Sequence, residues 1–367
     1  MIYNTKTFYA VGQGGFYSER IWSNGMDYTI VYDCGAVVDK SLEGPTIELG
    51  NAIDNSGFER IDFVVISHVD EDHINGLKKL NRYVNQIGQK RPPVLILPNP
   101  TPLDRLLFFS SVSIKTMEIF FDIISNQPVL CISSEGDNDE TEIALNADWK
   151  KGMNNPFSHN RVFTLFGCTD CSEKWLLKFY VDRSKYALQF DLLLKKEPAL
   201  IDLIKSIKSI KDFEFSKEKL VRAYKKISEK GKTYGDKNWS SMAMISAPFI
   251  HDMQTRNCER GVESPYISWM NGDIRLKDDN EMLAIEQHFA DFLSLNIDFQ
   301  IPHHGSHNNL GRIPAFNRRV RTYIWAGEDN QYGHPNGTIL RMLKRAGLKI
   351  NWITENDSHI VRHEKWL

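Results

Sequence analysis

Cysteine is sparse in this chain: Cys34, Cys131, Cys168, Cys171 and Cys258 are the only five among 367 residues. An odd, scattered set is no disulfide framework and fits a reduced, cytoplasmic setting. Cys168 and Cys171 stand at the spacing of half a zinc site or a redox pair, yet no second Cys or His pair at ligand spacing follows. They read as unpaired thiols. The chain also has no apolar run of the roughly 18 residues needed to cross a bilayer, so no membrane span is expected. Met1-Ile2-Tyr3-Asn4-Thr5-Lys6 lacks a signal peptide's apolar stretch. Net charge is scarce too: at −2 it provides no global field for nucleic acid. What is present, 41% hydrophobic and 25% charged residues, suffices for the large core of a soluble enzyme.

One short run is dense in chemistry. Phe63-Val64-Val65-Ile66 ends in Ser67-His68-Val69-Asp70-Glu71-Asp72-His73, an apolar strand followed by two histidines and three carboxylates. Ile74, Leu77, Leu80 and Val84 then recur at helical spacing, with Gly88 as the stop. His68 and Asp70, two apart, project to one side of an extended segment, while Asp72 and His73 fall in the turn that opens the helix. Four side chains thus aim at one point. Imidazole and carboxylate are ligands for zinc, manganese or iron; the plainer reading is a solvated helix start whose acids complement the dipole.

These residues resemble the His-x-His-x-Asp-His signature of the metallo-β-lactamase fold, with Asp70 where the second histidine usually stands. The form Ser-His-x-Asp-x-Asp-His is most similar to the hydrolase domains of ComEC-type DNA-uptake proteins. Further matches follow in family order: Val11-Gly12-Gln13-Gly14, Asp33-Cys34-Gly35, Asn238-Trp239-Ser240-Ser241, Gly272-Asp273, His303-His304-Gly305-Ser306 and Gly333-His334-Pro335. The resemblance implies an α/β fold, an αββα sandwich, as a single domain over residues 1–367. It implies two divalent metal ions, zinc or manganese, sharing Asp273 as a bridge. His68 and Asp70 would serve one ion; Asp72, His73 and one histidine of the His303-His304 pair, His304 by preference, would serve the other. His303 would stand behind the ligands or face the substrate, Asp33 would orient a ligand histidine or only cap a strand-to-loop turn, and His334 would contact a phosphate, polarise a leaving group or serve as a turn histidine before Pro335. Ser306 reads as a turn or phosphate donor, and Asp72 or Asp70 as the group orienting an attacking water. Asp70, a hard oxygen ligand, shifts the preference toward manganese or magnesium. The family's middle histidine has only His159 and His251 as counterparts, and neither has a ligand's context.

Strands are expected at 6–11, 27–33, 62–67, 94–97, 161–166, 175–181, 241–246, 266–270, 299–302, 322–325 and 349–353, with helices at 103–126, 281–293 and 338–346. Residues 190–237 read as a helical insertion. Its 205–237 portion holds eleven Lys or Arg against five acids. Such a segment either grips phosphates, meets a protein partner or is a solvated hairpin. The expected activity is metal-dependent hydrolysis of phosphodiesters by a metal-activated water, as a DNA or RNA nuclease. The alternatives are hydrolysis of a small phosphoester or nucleotide, or a catalytically weak partner-binding module, with antiviral defence as a setting. Without the membrane channel of uptake proteins, transport is not carried over.

Overall fold

The computed structural model describes residues 1–36, 46–99, 102–111, 113–134, 142–145, 156–165, 174–182, 192–231, 241–249, 265–328 and 330–366. The motif residues Asn238-Trp239-Ser240, the ends of the 190–237 segment, His251, Cys168, Cys171 and Cys258 lie outside these.

Two eight-stranded sheets organise the described residues. The first runs β16 (Ile360–Trp366), β1 (Ile2–Phe8), β2 (Gly14–Ser23), β3 (Met26–Ala36), β4 (Phe63–Val65), β5 (Val94–Pro98), β6 (Val129–Ser133) and β8 (Phe157–Ser158). The second runs β15 (Lys349–Ile353), β14 (Val320–Trp325), β13 (Asn296–Gln300), β12 (Tyr266–Met270), β11 (Met242–Pro248), β10 (Trp175–Val181), β9 (Val162–Leu165) and β7 (Glu142–Ala144). Pairing is antiparallel from β16 to β3 and parallel from β3 to β8. In the second sheet β12 to β15 are parallel. Every residue of β4, β5 and β6 is buried, as parallel strands covered on both faces require.

The sheets face each other. Phe8 stacks on Tyr323, Tyr17 Oη lies 2.8 Å from Ser268 Oγ, and Tyr32 donates to the Met242 carbonyl. Trp269 turns its ring outward onto Phe289, at the end of the helix Asp279–His288. Helices α1 (Ile47–Asp54) and α3 (Leu77–Gln86) pack on β3, and the helix Gly337–Arg345 packs on β15. This is the αββα layering expected of a metallo-β-lactamase fold. Among the described residues no helix is long and apolar enough to cross a membrane.

Most expected strands form within a few residues of their expected limits, but β2, β6, β7, β8, β16 and α1 were not among the expected elements, and one expected helix is two. β2 was not anticipated, because it is bulged at Phe16 and Tyr17 and buries a carboxylate, Glu19. β16 was not anticipated either: its alternation mixes Val361 with Arg362, His363, Glu364 and Lys365. The helix expected over 103–126 is two, α4 (Pro102–Ser111) and α5 (Ile114–Asn126), the second capped by Ser113, whose side chain accepts from Thr116 N–H. Within 190–237 the structure shows helices Pro198–Ser206 and Ile210–Gly231. The longer one packs on α4 and α5, with the Phe213 ring 5.7 Å from that of Phe109.

Candidate metal centre

The centre forms where parallel strands of both sheets end, the position at which α/β sheets leave loops free to gather side chains. β3 delivers Asp33, β4 leads to Ser67 and His68, and α2 (Glu71–Ile74) carries Asp72 and His73. From the second sheet, β12 leads to Asp273 and β13 to a 3-10 turn, His303–Gly305. Two glycines permit the approach. A Cβ on Gly272, at φ 53°, would collide with Ser67, and one on Gly35 would collide with the Asp72 carbonyl. Four non-glycine residues have positive φ among the described residues, and three of them are Asp33, His303 and His304. Left-handed backbone at such residues persists only where surrounding contacts hold it.

Three imidazoles share one arrangement. His73 Nδ1 donates to Asp33 Oδ2 at 2.8 Å, and His304 Nδ1 donates to the Trp325 carbonyl at 2.9 Å. Ser67 donates its hydroxyl to Asp33 at 2.8 Å, so its 3.1 Å contact with His68 Nδ1 is one in which the imidazole donates. With each Nδ1 so engaged, each Nε2 is the atom turned to the centre. The buried Nε2 atoms of His68 and His73 make no hydrogen bond. His68 Nε2 is 3.7 Å from Asp273 Oδ2, and His73 Nε2 is 3.4 Å from Asp273 Oδ1. His304 Nε2 lies 3.1 Å from Asp72 Oδ2 and 3.9 Å from Asp273 Oδ1. His303 Nδ1 is 3.6 Å from Asp273 Oδ2. One oxygen of Asp273 therefore faces His73 and His304, the other His68 and His303. Two groups have ligand atoms close enough for one cation: His68, His73 and Asp273, and Asp72, His73 and His304.

The charges press the same way. Burial and then His73 push His68 down to about 3, leaving a neutral ring with a lone pair. Burial and then the charge of Asp72 push the Asp70 carboxyl up to about 7. Burial opposes ionisation of Asp72, but His73 and His304 outweigh it and hold its carboxyl down at about 2. Burial disfavours a proton on His73 and His304, yet the surrounding carboxylates win and raise both. Protons thus occupy positions where positive charge is wanted. Buried imidazole nitrogens without hydrogen bonds among crowded carboxylates fit a divalent cation.

The remaining candidates are placed as follows. Asp70 joins neither three-residue group; it caps α2, accepting from Glu71 N–H at 3.3 Å. His334 does come to the centre, its ring 5.7 Å from His303 and 6.5 Å from His304. Burial and then His304 push it down to about 4. Ser306 is a turn residue whose Oγ accepts from Asn308 N–H. His159 lies apart, stacked on Tyr180 with its ring 4.9 Å from His288. Sequence reasoning gave no role to Ser67, although it stands beside His68, or to the Trp325 carbonyl, which no side-chain pattern announces. Nor did it find Asn309, which donates to the Asp273 carbonyl, or Asn330, which grips the His334 backbone.

No family model matches the chain. It is similar to two proteins named Anti-Pycsar protein Apyc1: 28% identical over 92 residues to that of Paenibacillus sp. (strain J14), and 30% identical over 95 residues to that of Bacillus phage BSP38. Each match covers 24% of this chain and 34% of the relative, so the chain matches about a third of those relatives' length. Among solved structures it is similar to unliganded yeast PDE1, with 11% identity, 98% and 99% of the two chains covered and a TM-score of 0.44. It is likewise similar to a diphosphatase of the PhnP family, with 10% identity, 100% and 98% covered and a TM-score of 0.40. The metallo-beta-lactamase fold protein YhfI from Bacillus subtilis gives 8% identity, 99% and 100% covered and a TM-score of 0.38.

Proposed function

We propose that this protein is a hydrolase of phosphodiesters that works with two divalent cations, zinc or manganese. The observation that carries the reading is the set of three imidazoles, each held at Nδ1, whose Nε2 atoms converge on Asp72 and Asp273. Asp72, His73, His304 and Asp273 would hold one cation, and His68, Asp70 and Asp273 the other. A bound divalent cation supplies charge neutralisation at the phosphate and a lowered pKa for water. Asp72, 17% exposed at the mouth, accepts a hydrogen bond from a water and so orients it. His303, the most open of the four central histidines at 27%, contacts the phosphate. His334, kept neutral, donates an N–H to the leaving oxygen. Asp33 and Ser67 hold the ligand rings.

Cleavage of DNA or RNA is the first reading, resting on the ComEC-type resemblance of the Asp70 variant motif, which is analogy. A small nucleotide is the second. The near-complete burial of His68, His73, His304 and Asp273 favours it, since a recess admits a single ester more readily than a duplex. Residues 190–237 as an insertion in one domain, with partner binding through it and a cytoplasmic setting in antiviral defence, complete the proposal. In the presence of manganese the protein should cleave labelled DNA, RNA or a nucleotide diester. Changing Asp72→Ala and His73→Ala together should abolish cleavage and the metal found by elemental analysis. Cleavage surviving in that double variant would sink the reading.

A further inference from the structure

Beside the mouth of the centre stands an aromatic ring that the core does not use. Tyr332 is 60% exposed, and its ring lies 6.2 Å from that of His334 at an interplanar angle of 18°. A lone exposed aromatic is ordinary on a protein surface; the setting of this one is not. Asn330 donates to the His334 carbonyl and accepts from the His334 N–H at 2.9 Å, closing the turn that carries Tyr332. Gly333, at φ 67°, makes the tight backbone possible. The turn is therefore pinned at the point where it presents the ring. From Tyr332 the path inward is short: His334, then His303 with its ring 5.7 Å further on, then Asp273 at 3.6 Å from His303 Nδ1.

We propose that Tyr332 is a stacking platform for the planar base of a nucleotide substrate, and so selects nucleotide esters over simple alkyl or sugar phosphoesters. The proposal rests on the phosphodiesterase reading. Stacking suits a site that must accept a base without reading its edges, because every base has a π-face. Tyrosine also loses little conformational freedom on binding.

Manganese-loaded protein titrated calorimetrically with AMP and with ribose 5-phosphate tests it. AMP should bind at least about tenfold more tightly than the sugar phosphate. Tyr332→Ala and Tyr332→Leu should erase that preference while Tyr332→Phe keeps it, with melting curves showing all three folded. On thymidine 5′-(4-nitrophenyl) phosphate, Tyr332→Ala should raise KM by about the same factor with little change in kcat. Equal affinities in the unmodified protein, or a preference that survives in Tyr332→Leu, overturn the platform. If turnover is absent but AMP binding depends on Tyr332, the hydrolase reading fails and the platform stands. If turnover occurs and nothing depends on Tyr332, the platform alone fails.

Discussion

Asp33 shows how much of this centre depends on a group that need not touch a cation. It is fully buried, accepts from Ser67 N–H at 2.7 Å and from the Ser67 hydroxyl and His73 Nδ1 at 2.8 Å each. An ionised carboxylate can accept all three bonds, whereas an amide must place two donors somewhere among them. Asp33→Asn should therefore turn one N–H against a donor and loosen the ring or tautomer of His73. Manganese affinity should fall about 10–100-fold, the usual effect of losing such a partner, measured by competition with a fluorescent chelator. Unchanged affinity would mean that Asp33 only stitches β3 to the loop after β4. Residues that the sequence singled out, His68, Asp72 and His73 by their density at a strand end and Asp273 and His304 by resemblance, are brought together in the structure. What escaped was the orienting layer. A backbone carbonyl such as that of Trp325 leaves no mark on residue type, and the role of Ser67 depends on Asp33, which is 34 positions away.

Strands and helices were readable to different degrees, for physical reasons. β10, β12 and β15 have the expected limits, because short apolar runs bounded by polar residues admit few other ladders. β2 hid because its buried Glu19 accepts at Oε1 from Asn4 and Ser268 on other strands, a tertiary arrangement no local pattern predicts. The helix Ile210–Gly231 shows the opposite case, an amphipathic pattern that survives into packing. Phe213 is fully buried while Phe215, two residues on and across the helix, is 95% exposed. Phe213→Ala should cost about 3–5 kcal/mol, whereas Phe215→Ala should stay within about 0.5 kcal/mol, both read by urea denaturation. Equal effects would show that the hairpin is not held on α4 through the Phe213 face. α5 in turn touches α2, the helix that carries Asp72 and His73, with Thr116 Oγ1 donating to Glu71 Oε1 at 3.1 Å. Metal content in Phe213→Ala at low temperature then reports how far a fault in the hairpin travels.

The two sheets are locked together by charge as well as by apolar packing. Lys6 on β1 reaches across to Asp298 on β13 at 2.9 Å, with neither side chain exposed, and Asp298 also accepts from Arg321 and Tyr323. Burial alone would raise the Asp298 pKa, but Lys6 and Arg321 outweigh it and hold the carboxyl below its ordinary value. A carboxylate depressed in the folded state stabilises above its unfolded pKa, about 3.9, and that contribution is lost as pH falls through the lower folded value. The protein should thus lose stability on acidification below about pH 4 partly through this pair. Asp298→Asn leaves Lys6 buried without its countercharge, which should cost about 3–5 kcal/mol at neutral pH. It should also flatten the acid dependence, so that the gap to the unmodified protein narrows between pH 7 and pH 3. Replacing both partners, Lys6→Met with Asp298→Leu, should recover much of the loss, since an apolar pair of similar volume avoids desolvating two charges. Urea denaturation of the three proteins at both pH values decides it. An Asp298→Asn protein with an undiminished acid slope would place the titrating group elsewhere and leave the inter-sheet pair a packing contact.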